Sequence, residues 1–153
     1  MNSRIRFAQA FAGVCLAALA TTGTAADAAP AGWKQVVDVR KACRIAVPSD
    51  WTAELSTGYS PGKQISATVH GMKGQSWDAA RSMVKGMFAP IKVMQDDGKR
   101  LMYSMDPGKT AAGKNGWYAV INSSPVCSVS FTFPAGSDEA LMKKVADTLA
   151  PAG

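Results

Sequence analysis

The chain has 153 residues, of which 47% are hydrophobic and 18% charged, with 17 Lys and Arg against 11 Asp and Glu. These values describe an ordinary globular protein of one domain and exclude a disordered or wholly membrane-embedded chain. With His70 as its single histidine, the chain cannot build a metal site from two or more of its own imidazoles.

Arg4 and Arg6 give a positive start, Phe7 to Ala20 form an apolar run of 14 residues, and Thr21 to Ala29 are small residues with one acid. These are the three parts of a secretory signal peptide. The run is shorter than the roughly 20 residues of a membrane-spanning helix. Cleavage after Ala28, at Ala26-Asp27-Ala28, is the favoured site and cleavage after Ala26 the alternative. Cys15 follows Val14 in mid-run, which excludes a lipoprotein anchor. The expected organisation is therefore a leader over 1–28 and one domain over 29–153, periplasmic or secreted. The mature chain keeps 15 basic and 10 acidic residues, a net charge of +5, together with Cys43 and Cys127. An even pair in an oxidising compartment predicts a disulfide. The two cysteines are 84 positions apart and form no C-x-x-C, which argues against metal or redox chemistry. Closing so long a loop stabilises the fold by about 4 kcal/mol in the chain-entropy model.

Along the mature chain, Val36 to Val39 is short and β-rich. Cys43, Ile45 and Val47 alternate with Arg44 and Ala46 as a half-buried strand that Pro48 ends. Trp51, Ala53 and Leu55 alternate again before a loop from Thr57 to Lys63. Ile65, Ala67 and Val69 then define a strand whose other face carries Gln64, Ser66, Thr68 and His70. Ser76 caps a helix from Trp77 to Phe88, with Trp77, Ala80, Val84, Met87 and Phe88 on one side. Strands 91–95 and 100–105 flank Asp97-Gly98, a hairpin signal. A loop from Asp106 to Gly116 holds Lys109, Lys114 and three glycines, with little to bury, and reads as a free basic lobe. Strands 117–121 and 126–133 form a second hairpin around Asn122 to Pro125. In its second strand Cys127, Val129, Phe131 and Phe133 share a face, while Ser128, Ser130 and Thr132 face water. Ser137 caps a last helix with Leu141, Val145 and Leu149 inward. Both cysteines lie on the apolar parity of their strands. The fold class is α+β, a single antiparallel sheet of six to seven strands with two helices.

The segment Cys43-Arg44-Ile45-Ala46-Val47-Pro48-Ser49-Asp50-Trp51 resembles the opening of PsbP-like domains: a strand ending in proline, two residues, then tryptophan. Element order is similar over residues 43 to 149. The resemblance implies a PsbP-like sandwich, a core-packing role for Trp51, and a non-catalytic accessory or binding function with no catalytic residues to carry over.

Three motifs resemble chemistry. Gly58-Tyr59-Ser60-Pro61-Gly62 matches the G-x-S-x-G nucleophile elbow, but the residue after the serine must donate its N–H to an oxyanion and Pro61 has none. Gly108-Lys109-Thr110 resembles the end of a P-loop, with Tyr103 where the first glycine belongs. His70 and Met72, two apart on a strand, point to one side and form a soft ligand pair suited to Cu(I). The basic residues Lys99, Arg100, Lys109 and Lys114 are candidates for a surface that meets an anionic partner. No aromatic-interleaved basic run of the nucleic-acid type occurs.

The leading expectation is a small exported accessory or binding module without a cofactor, meeting an envelope protein or anionic envelope component. A copper carrier using His70 and Met72, and a small hydrolase-type enzyme, are the alternatives.

Overall fold

The strands that carry Cys43 and Cys127 lie in two different sheets, which corrects the single sheet expected above. The computed structural model describes residues 29–87, 92–105, 107–110 and 113–153; the expected leader over 1–28 lies outside them. In chain order the elements are β1 (Trp33–Val37), β2 (Cys43–Pro48), β3 (Thr52–Glu54), β4 (Thr57–Tyr59), β5 (Ser66–Met72), α1 (Trp77–Met87), β6 (Lys92–Asp96), β7 (Arg100–Met105), β8 (Asn115–Ile121), β9 (Val126–Phe133), α2 (Glu139–Asp147) and β10 (Ala150–Pro151). A seven-stranded sheet has the order β3-β4-β5-β9-β8-β7-β6 and a three-stranded sheet the order β1-β2-β10. Every pairing is antiparallel.

The division has a local cause. Pro48 has no N–H to continue the ladder, and the Trp51 N–H closes a turn on the Pro48 carbonyl at 3.1 Å. The chain therefore leaves the small sheet after β2 and begins the large one at β3. Alternation shows which face a strand buries; it does not show which strand lies beside it.

The large sheet buries both faces. On one, Val36, Ile45, Val47 and Trp51 meet Ala67, Val69, Val129 and Phe131, and Met142, Val145, Ala146 and Leu149 join the same core. The small sheet and α2 cover that face together, and the Ala46 N–H donates to Thr148 Oγ1 at 2.7 Å where they meet. On the other face, Ala80 and Val84 of α1 pack over Leu101, Tyr103, Tyr118, Val120 and Val126. Arg81 and Lys85 also tie α1 to Asp96 of β6, the lysine at 2.9 Å.

Several local expectations need adjustment. The first strand is Trp33–Val37, and Val39 beyond it is 69% exposed. Trp51 is buried as expected, but it precedes β3, whose three residues are all exposed, and Leu55 is 88% exposed with a φ of 50°. That alternation belongs to an edge strand turning away from the core. Thr57–Tyr59, expected as loop, is β4. Ser76 does cap α1, its Oγ accepting from the Ala79 N–H at 3.2 Å, while Phe88 lies outside the described residues. In α2 the cap is Asp138, which accepts from the Leu141 N–H, because the Ser137 hydroxyl donates to the Pro134 carbonyl instead. Leu141 is only half-buried, and Met142 takes the inward position. Ser128, expected to face water, is fully buried and accepts from the Tyr118 hydroxyl at 3.2 Å, because the α1 layer covers that end of the face.

Candidate functional site

Cys43 and Cys127 form the disulfide, with Cα atoms 5.7 Å apart and both residues fully buried. It joins β2 of the small sheet to β9 of the large one. Beside it, the β1–β2 turn is organised by Asp38, which is only 4% exposed. Its Oδ1 accepts from the N–H groups of Ala42 at 2.6 Å and Cys43 at 2.8 Å, and its Oδ2 from Arg40 at 3.3 Å. Burial alone would push this carboxyl up; the N–H donors of Cys43, Ala42, Arg40 and Gly71 outweigh it and hold it below the ordinary carboxylate value. Gly71 permits the close approach of β5 to this turn. A Cβ there would lie 2.6 Å from the Ala42 Cβ and 3.4 Å from Cys43 Sγ.

So fixed, the turn directs Arg40 and Lys41 outward, the latter at a φ of 52°. The β5–α1 turn brings Lys73, Gly74 and Gln75 alongside. The β8–β9 turn contributes Ser123, Ser124 and Pro125, and the last residues Pro151 and Gly153 complete a cleft of about 770 Å3. Three cationic side chains line it and no Asp or Glu side chain does. Arg40, Lys41 and Lys73 are all exposed, and among the described residues none of them makes a salt bridge. The cleft can receive an anion. A second cavity, about 360 Å3, lies against Trp117 and Phe133 and carries one charge of each sign, Lys92 and Glu139.

The basic residues singled out from the sequence lie elsewhere. Lys99 is exposed in the β6–β7 turn, and Arg100 beside it is paired with Asp147. Lys109 ends a short 3-10 turn, Pro107–Lys109, and its side chain lies outside the described part. Lys114 is half-buried, and its carbonyl accepts from the Thr110 hydroxyl. The strand β7 separates the two pairs, by roughly 3.3 Å per residue, so they do not form one patch. The loop is also less free than expected. Gly116 is buried, and a Cβ on it would meet Met105 Cε at 2.4 Å and Thr110 Cγ2 at 2.8 Å.

His70 and Met72 do share a side of β5. His70 is exposed, whereas Met72 is half-buried and packs on the core beneath α1. Among the described residues no three His, Cys, Asp or Glu side chains converge on a metal position. Ser60 is nearly buried, and its Oγ accepts from the Ile65 N–H at 2.9 Å. That bond closes the turn which G-x-S-x-G encodes here.

Sequence reasoning missed Arg40, Lys41 and Lys73. The adjacent pair Arg40-Lys41 between two strands was a visible signal; its convergence with Lys73 depends on how the disulfide stacks the sheets. No family model and no curated protein matches the chain. In fold the chain is similar to the solution structure of cyanobacterial PsbP (CyanoP) from Synechocystis sp. PCC 6803, with a TM-score of 0.43, 10% identity, and coverage of 79% of this chain and 93% of that one.

Proposed function

We propose that this chain is a small non-catalytic accessory module, exported to an oxidising compartment, that binds an anionic partner of the cell envelope through the cleft beside Cys43–Cys127. The observation that carries this reading is the sign of the cleft: Arg40, Lys41 and Lys73 face it without an opposing acidic side chain. Its location is supported by the leader pattern of residues 1–28 and by the disulfide, since such bonds persist outside reducing compartments. Among the described residues no helix is long and apolar enough to cross a membrane. The non-catalytic reading is supported by Ser60, whose hydroxyl is engaged by the backbone.

Two measurements test it. The full chain produced in a bacterial host should be recovered as a species beginning at Asp27 or Ala29, without free thiols before reduction. Purified mature protein should sediment with envelope fragments at low salt and be released by added salt, because exposed charges are screened within about 8 Å at physiological ionic strength. A full-length, reduced product overturns the compartment. Retention that ignores salt overturns the anionic partner.

A further inference from the structure

The same cleft, read as the contact surface, also indicates what kind of anion it takes. We infer that it is a site for a phosphorylated group carrying two or more negative charges, a diphosphate being the simplest example.

Charge number comes first. Three cationic side chains from two separate turns line one concavity, against a single carboxylate, that of Gly153. A ligand with one negative charge leaves part of that excess uncompensated. A diphosphate group balances most or all of the set. Shape comes second. Arg40 and Lys41 enter from the β1–β2 turn and Lys73 from the β5–α1 turn, so the charges reach a ligand from different walls. A bilayer offers its headgroups in a plane, whereas a small group inside the cleft meets both turns. The volume of about 770 Å3 falls in the range of small-molecule sites.

Donor chemistry comes third. The charged side chains offer only N–H donors, in a guanidinium fork and two ammonium groups, which suits the acceptor-only oxygens of phosphate. Gly74, next to Lys73, has a φ of 79°, and a Cβ there would meet nothing within 4 Å. The backbone beside Lys73 is therefore open to a ligand. Ser124 adds a hydroxyl. That of Ser123 already donates to the Pro125 carbonyl at 2.7 Å. The backbone of the β1–β2 turn is held in place before any ligand arrives, because Asp38 binds the N–H groups of Arg40, Ala42 and Cys43. The backbone of that turn needs no ordering on binding, which leaves the three exposed side chains to be ordered.

The test is calorimetric titration of the oxidised mature protein with inorganic pyrophosphate, with citrate as an anion of similar charge but no phosphate. A second arm uses vesicles of phosphatidylglycerol against vesicles of phosphatidylcholine. Pyrophosphate should bind one-to-one and more tightly than citrate. Arg40→Ala, Lys41→Ala and Lys73→Ala should each weaken it by about fivefold, as expected for one exposed charge near contact distance. Lys99→Ala should leave the affinity unchanged, and the melting temperature of every variant should stay close to that of the parent. Equal binding of citrate overturns the phosphate preference. Binding to phosphatidylglycerol vesicles without binding to pyrophosphate overturns the diphosphate in favour of a single-phosphate headgroup. Failure of both arms, with salt-sensitive retention on envelope fragments intact, overturns this inference and leaves the broader function standing.

Discussion

Replacing Asp38 by alanine should cost about 3–5 kcal/mol of stability, although the residue sits in a surface turn. Besides the Gly71 N–H, its carboxylate takes backbone N–H groups at 2.6, 2.8 and 3.3 Å, from Ala42, Cys43 and Arg40. Hydrogen bonds to a charged acceptor contribute about 1.5–3 kcal/mol each when the group they satisfy is shielded from water. The two short bonds, on Ala42 and Cys43, supply most of the total. Asparagine should cost less, about 1–2 kcal/mol, because both short bonds end on Oδ1, which an amide oxygen replaces. Only the Oδ2 side, facing Arg40, would then oppose donor to donor.

The pH dependence has a defined sign. The carboxyl is held below its ordinary value of 3.8 in the folded protein. Its stabilisation is therefore complete above that value and declines as pH falls through the lower folded value. Urea unfolding, followed by tryptophan fluorescence at about pH 6 and about pH 3, measures both effects. The gap between wild type and Asp38→Ala should narrow at the acid end. A gap under about 1 kcal/mol at neutral pH, or one that does not change with pH, would refute the reasoning.

Removing the disulfide with Cys43→Ala and Cys127→Ala should lower stability by about 4 kcal/mol in equilibrium unfolding, the loop-closure value for a separation of 84 residues. Gly71→Ala should destabilise by about 1–3 kcal/mol, since the new Cβ strikes the Ala42 Cβ. Gly86→Ala, on an exposed position of α1 with nothing within 4 Å, should stabilise by about 0.5–1 kcal/mol. Thermal melts of those two variants should move in opposite directions. Burial pushes the Tyr103 and Tyr118 phenols upward, so the stability they contribute is present below the ordinary phenol value of 10.0 and is lost as pH rises past it. Alkaline absorbance titration should show both ionising together with unfolding rather than before it.

Parity was the most legible information in the chain. Cys127, Val129, Phe131 and Phe133 do share the buried face of β9, and the matching parity of Cys43 suffices to place the disulfide in the core. Asp97-Gly98 does turn β6 into β7. Neighbour relations were not legible, because alternation is the same whether β2 pairs with β1 and β10 or with a strand of the large sheet. Ser128 shows the same limit from the other side: its parity is polar, yet the α1 layer encloses it. The cleft was the least legible feature. Lys73 is 32 positions after Lys41, and only the stacking of two sheets at the disulfide brings them to one opening. The candidates taken from the sequence, Lys99, Arg100, Lys109 and Lys114, were chosen for charge alone from separate segments, and β7 holds the two pairs apart.

Among the described residues the large sheet is not closed, and its two outer strands differ in how they end it. β3 has three residues, too few to offer a long row of free backbone groups. β6 has five and exposes Val93 and Met94, the kind of edge on which a second chain could polymerise. Its pairing with β7 is interrupted by a bulge between Val93 and Gln95, and Lys92 starts the strand. The bulge twists the edge out of register with an incoming strand, and the lysine would have to lose water to join one. Straightening β6 by deleting Met94 should therefore turn a sheet that ends into one that can propagate, with concentration-dependent turbidity as the consequence. Colloidal stability in a crowded compartment would then depend on one residue of strand irregularity.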